Sequence, residues 1–237
     1  MYKLPQKNIC KFKKKGINVN ILNLYSGIGG NRKLWGDEHN IVAVEFNPEI
    51  AAIYQEYFPN DTVMVADAHE YLLQHYKEFD FIWSSPPCQT HSKLRIAQKN
   101  TKGFIPKYPS LNLWQEIIFL KHHAVCPYVI ENVIPYYDVF LEPTLRMDRH
   151  LFWSNVKLKN IDTLAESDVK NVAKLNTSHT HFGFSGKELR ERKTGGTDKQ
   201  QILANLVNPE IGLAILDQVR GIKRKSKLKQ ISILEEL

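Results

Sequence analysis

No stretch of about 18 apolar residues occurs in the 237-residue sequence, so a membrane-spanning helix is not expected. The lysine-rich start lacks the apolar core and cleavage pattern of a secretory signal, which points to a cytoplasmic protein. Cysteine is scarce. Cys10, Cys88 and Cys126 are odd in number and lack metal-ligand spacing, which argues against a disulfide framework or a zinc site and for reduced thiols. Internal repeats and low-complexity tracts are also missing, apart from basic ends. A general excess of base is missing too, despite a net charge of +7. Residues 1–16 hold six lysines and residues 220–229 six Lys or Arg, neither with an acid. Outside them, 20 basic residues face 25 acidic ones. The basic excess is terminal, and it suits either solvated tails or phosphate contact.

With 43% hydrophobic and 24% charged residues, the remainder supports one sizeable core. Asn18 to Tyr25 is an apolar, β-branched run ending in Ser26-Gly27-Ile28-Gly29-Gly30 and then a helix-compatible stretch, which reads strand, tight turn, helix. Ile41 to Phe46 is a second strand. Asn47-Pro48 caps a helix through Tyr57. Thr62 to Ala66 is a third strand, Asp67 caps a helix to about Tyr76, and Phe79 to Ser84 is a fourth strand. A helix over about Leu111 to Ala124 leads to a strand at Tyr128 to Glu131, and Ile202 to Val219 regains helical periodicity. Such alternation implies a parallel, doubly wound sheet whose ligands gather at the strands' carboxyl ends. The boundaries expected are a basic segment at 1–17, a main domain of 18–155 and 200–222, a small polar lobe at 156–199, and a basic tail at 223–237.

Gly27-x-Gly29-Gly30 permits a sharp turn and close backbone approach, and Glu45 is placed to accept from a ribose diol. A plain turn and a surface glutamate would look the same. Ser84-Ser85-Pro86-Pro87-Cys88-Gln89 is more specific, because two prolines stop the fourth strand and bring Cys88 out at the sheet's rim. A thiol there is poised as a nucleophile, whereas Cys10 and Cys126 read as inert hydrophobes. Glu131, after three apolar strand residues, is costly to desolvate without a ligand or partner, so its pKa should tend upward. A turn cap or an arginine partner would be the structural alternative. His122 and His123 lie on a helix without a partner motif and read as structural.

Three segments then carry a resemblance: Leu24-Tyr25-Ser26-Gly27-Ile28-Gly29-Gly30, Pro86-Pro87-Cys88-Gln89-Thr90-His91-Ser92 and Glu131-Asn132-Val133. In order and spacing they resemble the cofactor, nucleophile and glutamate motifs of the cytosine-C5 DNA methyltransferases. Ala204-Asn205-Leu206-Val207-Asn208-Pro209 resembles the family's C-terminal Gly-Asn-x-Val-x-Pro motif. Asn23 stands where the cofactor motif often has aspartate, Ala204 replaces a glycine, and the arginines of Arg146-Met147-Asp148-Arg149 are spaced more widely than usual.

The resemblance implies a Rossmann-like methyltransferase fold with a small target-recognition lobe, and S-adenosylmethionine as cofactor. It implies attack of Cys88 on C6 of a flipped cytosine, Glu131 on the ring edge, and Arg149 near base and sulfur. It places the cofactor against Tyr25, Gly27, Gly29, Gly30, Glu45, Asp67, Pro86 and Asn205. Double-stranded DNA is the implied partner, met by the acid-free loop 89–107 through Gln89, Ser92, Lys93 and Arg95. Arg190, Arg192 and Lys193 of the lobe would read sequence beside Asn176, Ser178, His179 and His181. An RNA cytosine-C5 methyltransferase and a catalytically silent DNA-binding module are the alternatives, though the Cys-Phe-Thr signature of the RNA branch is absent. Compact members are typical of phage and other mobile elements, in a bacterial or phage-infected host cell. Restriction-associated, phage-protective and solitary roles stay open, the first bringing a cognate restriction endonuclease, and a monomer is expected.

Overall fold

The computed structural model describes residues 18–147, 149–160, 180–181, 183–185, 193–196 and 199–222. Residues 1–17 with Cys10, residues 223–237, and Asn176, Ser178, His179, Arg190 and Arg192 lie outside them.

Seven strands form the main sheet: β1 (Asn20–Leu24), β2 (Asn40–Glu45), β3 (Thr62–Val65), β4 (Phe81–Ser84), β5 (Tyr128–Val133), β6 (Leu145–Met147) and β7 (His150–Ser154). Their spatial order is β3-β2-β1-β4-β5-β7-β6. The first five are mutually parallel, as alternation predicts. The sheet is not parallel throughout, because β7 runs antiparallel between β5 and β6. That reversal needs no crossover helix, since a short hairpin joins β6 to β7. It also delivers the start of β7 to the carboxyl end of β5.

Side-chain caps open several of the helices. Asn47 accepts from Glu49 N and Ile50 N and Pro48 opens α1 (Pro48–Tyr57), while Asp67 accepts from His69 N and Glu70 N to begin α2 (Ala68–His75). Lys93–Ala97 is a short α3, Asn112–His123 is α4, Lys199–Ala204 is α5, and Pro209–Arg220 is α6, capped by Asn208 and ended by Gly221 in the left-handed region. The stretch 202–219 is therefore two helices with a break over 205–208. No helix forms after the glycine turn either. Gly27, Gly29 and Gly36 all have positive φ, and successive i to i+3 bonds tie Gly29 N to Ser26 O and Trp35 N to Arg32 O.

Strand periodicity divides the core. Leu22, Leu24 and Ile82 face α2 and α4, whereas Ile21, Phe81 and Trp83 face α6. A third cluster joins α1 and α5 and includes Phe184, from the hairpin of β8 (Thr180–His181) and β9 (Phe184–Ser185). The Phe184 ring centroid lies 4.8 Å from that of Tyr57, and Lys33 Nζ donates to Gly183 O at 2.9 Å. Gly183 and Phe184 are thus packed on α1 and on the turn after β1.

A buried ion pair locks the glycine turn to α1. Arg32, 2% exposed, meets Asp61, 1% exposed, through Nε at 2.8 Å and Nη2 at 3.0 Å, and Tyr54 donates to the same carboxylate. Removing one partner strands the other charge. Arg32→Met should destabilise the fold by about 3–5 kcal/mol in urea titration, and Arg32→Met with Asp61→Leu should recover much of that. A double variant no better than the single would show that the pair contributes attraction beyond its own desolvation.

Candidate active site

The strand order reverses between β1 and β4, and at the carboxyl ends of those strands lies an open cleft of about 660 Å³. Ligands of doubly wound sheets collect at such a switch point. Its walls come from the β1 turn, the ends of β2, β4 and β5, the start of β7, and the break between α5 and α6.

At one end stands Glu45. Its Oε2 accepts from Gly27 N at 3.0 Å and its Oε1 from Asn47 N at 3.0 Å, and burial raises its pKa against hydrogen bonds from the backbones of Asn47, Gly27 and Phe46. A carboxylate offers about four acceptor sites, so capacity for a further donor remains. Gly27, at φ 53°, lines the cleft, and a Cβ there would project into open space. Phe46, 73% exposed, presents an aromatic ring beside this end. Asp67 lies on the wall while capping α2. An acid for a diol, an aromatic face and a glycine-floored cradle fit an adenosine-bearing cofactor. Phe46 escaped the sequence reading because it looked like the last apolar residue of its strand.

Tyr25 also lines the cleft. Its hydroxyl donates to Glu116, a fully buried carboxylate that accepts from Ser84 Oγ at 2.7 Å and lies 3.1 Å from His69 Nδ1. Gly30 lines the cleft under close contact, since a Cβ would sit 2.7 Å from Val207 O. Gly29 is the exception among the residues assigned to the cofactor. It does not line the cleft, and a Cβ there would collide with the Phe58 ring at 2.2 Å, so its place is a packing one.

The other end holds Cys88, Glu131 and Arg149. Pro86 and Pro87 end β4 as expected, and Asn132 Nδ2 donates to Pro86 O at 2.8 Å, tying the Cys88 turn to β5. Cys88 Sγ lies 3.9 Å from Asn205 Oδ1. Asn205, assigned to the cofactor from sequence, is therefore placed beside the thiol. Burial, then the charge of Glu131, pushes the Cys88 thiol up to about 11, against Arg149. Glu131 is buried and pushed up to about 7 by desolvation, opposed by a Ser85 hydrogen bond and by Arg149. Arg149 anchors through Nη2 to Ala204 O at 2.9 Å. Thiol, carboxyl and guanidinium share one wall and feel one another's charge.

Of the residues expected to meet DNA, Gln89 and Ser92 line the cleft, and Ser92 caps α3. Lys93 is exposed outside it, as is Lys193. Arg95 folds its own loop: its guanidinium donates to Ile105 O and lies 4.9 Å from the Phe104 ring. Among the described residues, no group of acids, histidines or cysteines could hold a metal ion and no helix is long and apolar enough to cross a membrane.

Residues 19–133 match the family model of the C-5 cytosine-specific DNA methylases. No curated protein matches the sequence. Among solved structures, the chain is similar to a DNMT2 mutant of Spodoptera frugiperda, at 15% identity over 84% of this chain and 99% of that one, with TM-score 0.46. It is similar to the methyltransferase EhMeth of Entamoeba histolytica at 12% identity, over 85% and 98% of the two chains, with TM-score 0.44. A putative DNA modification methyltransferase encoded within a prophage of E. coli shares 18% identity over 51% of this chain and 33% of that one, with TM-score 0.31. At these scores the likenesses carry no functional weight, which falls on the family match and the cleft.

Proposed function

We propose that this chain, which belongs over residues 19–133 to the C-5 cytosine-specific DNA methylase family, methylates C5 of cytosine in double-stranded DNA from S-adenosylmethionine. The observation that carries the reading is the cleft itself. One end offers Glu45, Gly27 and Phe46 to an adenosine, and the other brings Cys88, Glu131 and Arg149 together.

Cytosine C5 is a poor nucleophile until C6 is attacked, so the reaction needs a covalent partner. S-adenosylmethionine, when bound, supplies a methyl group activated by a sulfonium. The Cys88 thiolate adds to C6, the ring's electron pair moves to C5, and C5 takes the methyl. Once the demethylated thioether has left, loss of the C5 proton to solvent with expulsion of the Cys88 thiolate restores the aromatic ring. Glu131 shares a proton with N3 and holds the exocyclic amine, which offsets charge growing on the ring. Its carboxylate also opposes ionisation of Cys88. Neutralising Glu131 against the base therefore favours the thiolate at the moment it is needed. Arg149 favours the anionic form of both.

A base inside a duplex cannot reach this cleft, so the target is flipped out. Gln89, Ser92 and Lys93 of loop 89–107 meet the backbone, with Arg95 holding the loop through Ile105 and Phe104, and residues 156–199, with Arg190, Arg192 and Lys193, read the neighbouring bases. Incubation with tritiated cofactor should label duplex DNA and leave transfer RNA unlabelled. Label in RNA alone would move the substrate to RNA, and label in neither would leave a silent binding module.

Glu45 carries a separate expectation. Glu45→Gln should weaken cofactor binding roughly tenfold by calorimetry, as lost hydrogen bonds to a charged acceptor predict, with turnover at saturating cofactor little changed. An unaltered dissociation constant would remove Glu45 from the cofactor site.

A further inference from the structure

His150 opens β7 and lines the cleft, yet the chemistry above gives it no part. It is 8% exposed. In the β5–β7 pair its partner is Val133 and the partner of Glu131 is Phe152, so His150 and Glu131 are diagonal neighbours on one face. His150 Nε2 stands 3.4 Å from Glu131 Oε1. The other ring nitrogen, Nδ1, is buried with no hydrogen-bond partner among the described residues.

Among the described residues, the charged groups recorded against this ring are Glu131 from β5 and Arg149 from its own segment. Burial, then Arg149, lowers His150 to about 3, so the imidazole is neutral and carries one N–H. A buried N–H without an acceptor is worse tolerated than a bare lone pair. The proton therefore belongs on Nε2, the nitrogen that faces a carboxyl.

We propose that His150 is a positioning residue for Glu131, its neutral Nε2–H facing Oε1 and fixing the plane in which the carboxyl meets the target base. A cationic ring in this place would hold Glu131 ionised. A neutral ring orients the carboxyl and leaves its proton available to N3. An apolar residue at 150 would leave that orientation to Ser85. The role of the base rests on the methyl-transfer reading, whereas the contact between the two side chains does not.

The test uses His150→Phe and His150→Gln in the full chain, both checked for folding by thermal melting. Carbon-13 NMR of the Glu131 carboxyl in cofactor-free protein needs no substrate. Loss of the polar Nε2–H that faces the carboxyl should raise its midpoint in His150→Phe, and His150→Gln should stay near wild type. In methylation assays, kcat of His150→Phe should fall about tenfold with the cofactor KM unchanged, and the glutamine should restore most of it. An unmoved Glu131 midpoint in His150→Phe overturns the proposal, as does an unchanged kcat. A moved midpoint in a protein whose wild type never methylates DNA keeps the contact and overturns the methyl-transfer reading instead.

Discussion

Cys88→Ala should abolish methyl transfer, by at least about 10⁴-fold, and leave cofactor affinity within about twofold of wild type. The two halves of that expectation come from the cleft's division. The thiol stands at the end with Asn205, Glu131 and Arg149, whereas Glu45, Gly27 and Phe46 form the other end. Removing sulfur deletes the covalent bond to C6 and leaves the adenosine end intact. The sharpest assay uses duplex DNA containing 5-fluorocytosine, because a C5 fluorine cannot leave as a proton does. Wild type and cofactor should give an adduct that survives a denaturing gel, and Cys88→Ala should give none. An adduct that still forms in the variant would assign the nucleophile elsewhere.

Glu131→Gln should lose about 10²–10³ in kcat, since the amide keeps the carboxyl's shape but cannot share a proton with N3. The same change should make Cys88 more reactive, not less. Desolvation is the larger cause of the raised thiol pKa and the charge of Glu131 the next, so deleting that charge lowers the pKa. Alkylation of Cys88 by iodoacetamide at pH 8 should therefore accelerate in Glu131→Gln while methylation collapses. In wild type the two groups titrate as a pair. The reactive form has Glu131 protonated and Cys88 ionised, a minor species of the singly protonated pair. Its share grows as pH rises toward about 7, where Glu131 titrates, and levels off until about 11, where the thiol does. A value of kcat/KM that falls between pH 5 and 7 would contradict this assignment, as would slower alkylation in Glu131→Gln.

Much of this architecture could be read from local chemistry. Asn47-Pro48, Asp67 and Asn208-Pro209 announce helix starts with their own side chains, and the apolar runs of β1, β2, β4 and β5 are buried strands of a parallel sheet. The diproline stop marks the end of β4 by composition alone, whereas β5 runs on through Glu131 to Val133, two residues past the end read from sequence. What escaped depends on register or on distant partners. The antiparallel insertion of β7 decides that His150 stands beside Glu131, and no local pattern reports it. Gly36, at positive φ, interrupts the helix-compatible stretch that follows the glycine turn. Arg95 looks like a free cation for phosphate until Ile105 and Phe104, ten and nine residues on, fold back on it. Likewise, nothing around Asn205 in sequence places it beside a thiol 117 residues earlier.

Bisulfite sequencing of DNA from cells that lack other cytosine methylation and express either the wild-type chain or Cys88→Ala tests substrate and chemistry together. The wild type should protect cytosines at one short recurring sequence, roughly four base pairs or fewer, as a small lobe with few base contacts can read. The variant should protect none. Full conversion of every cytosine in wild-type DNA, with the protein folded and S-adenosylmethionine bound, would contradict a DNA cytosine-C5 methyltransferase.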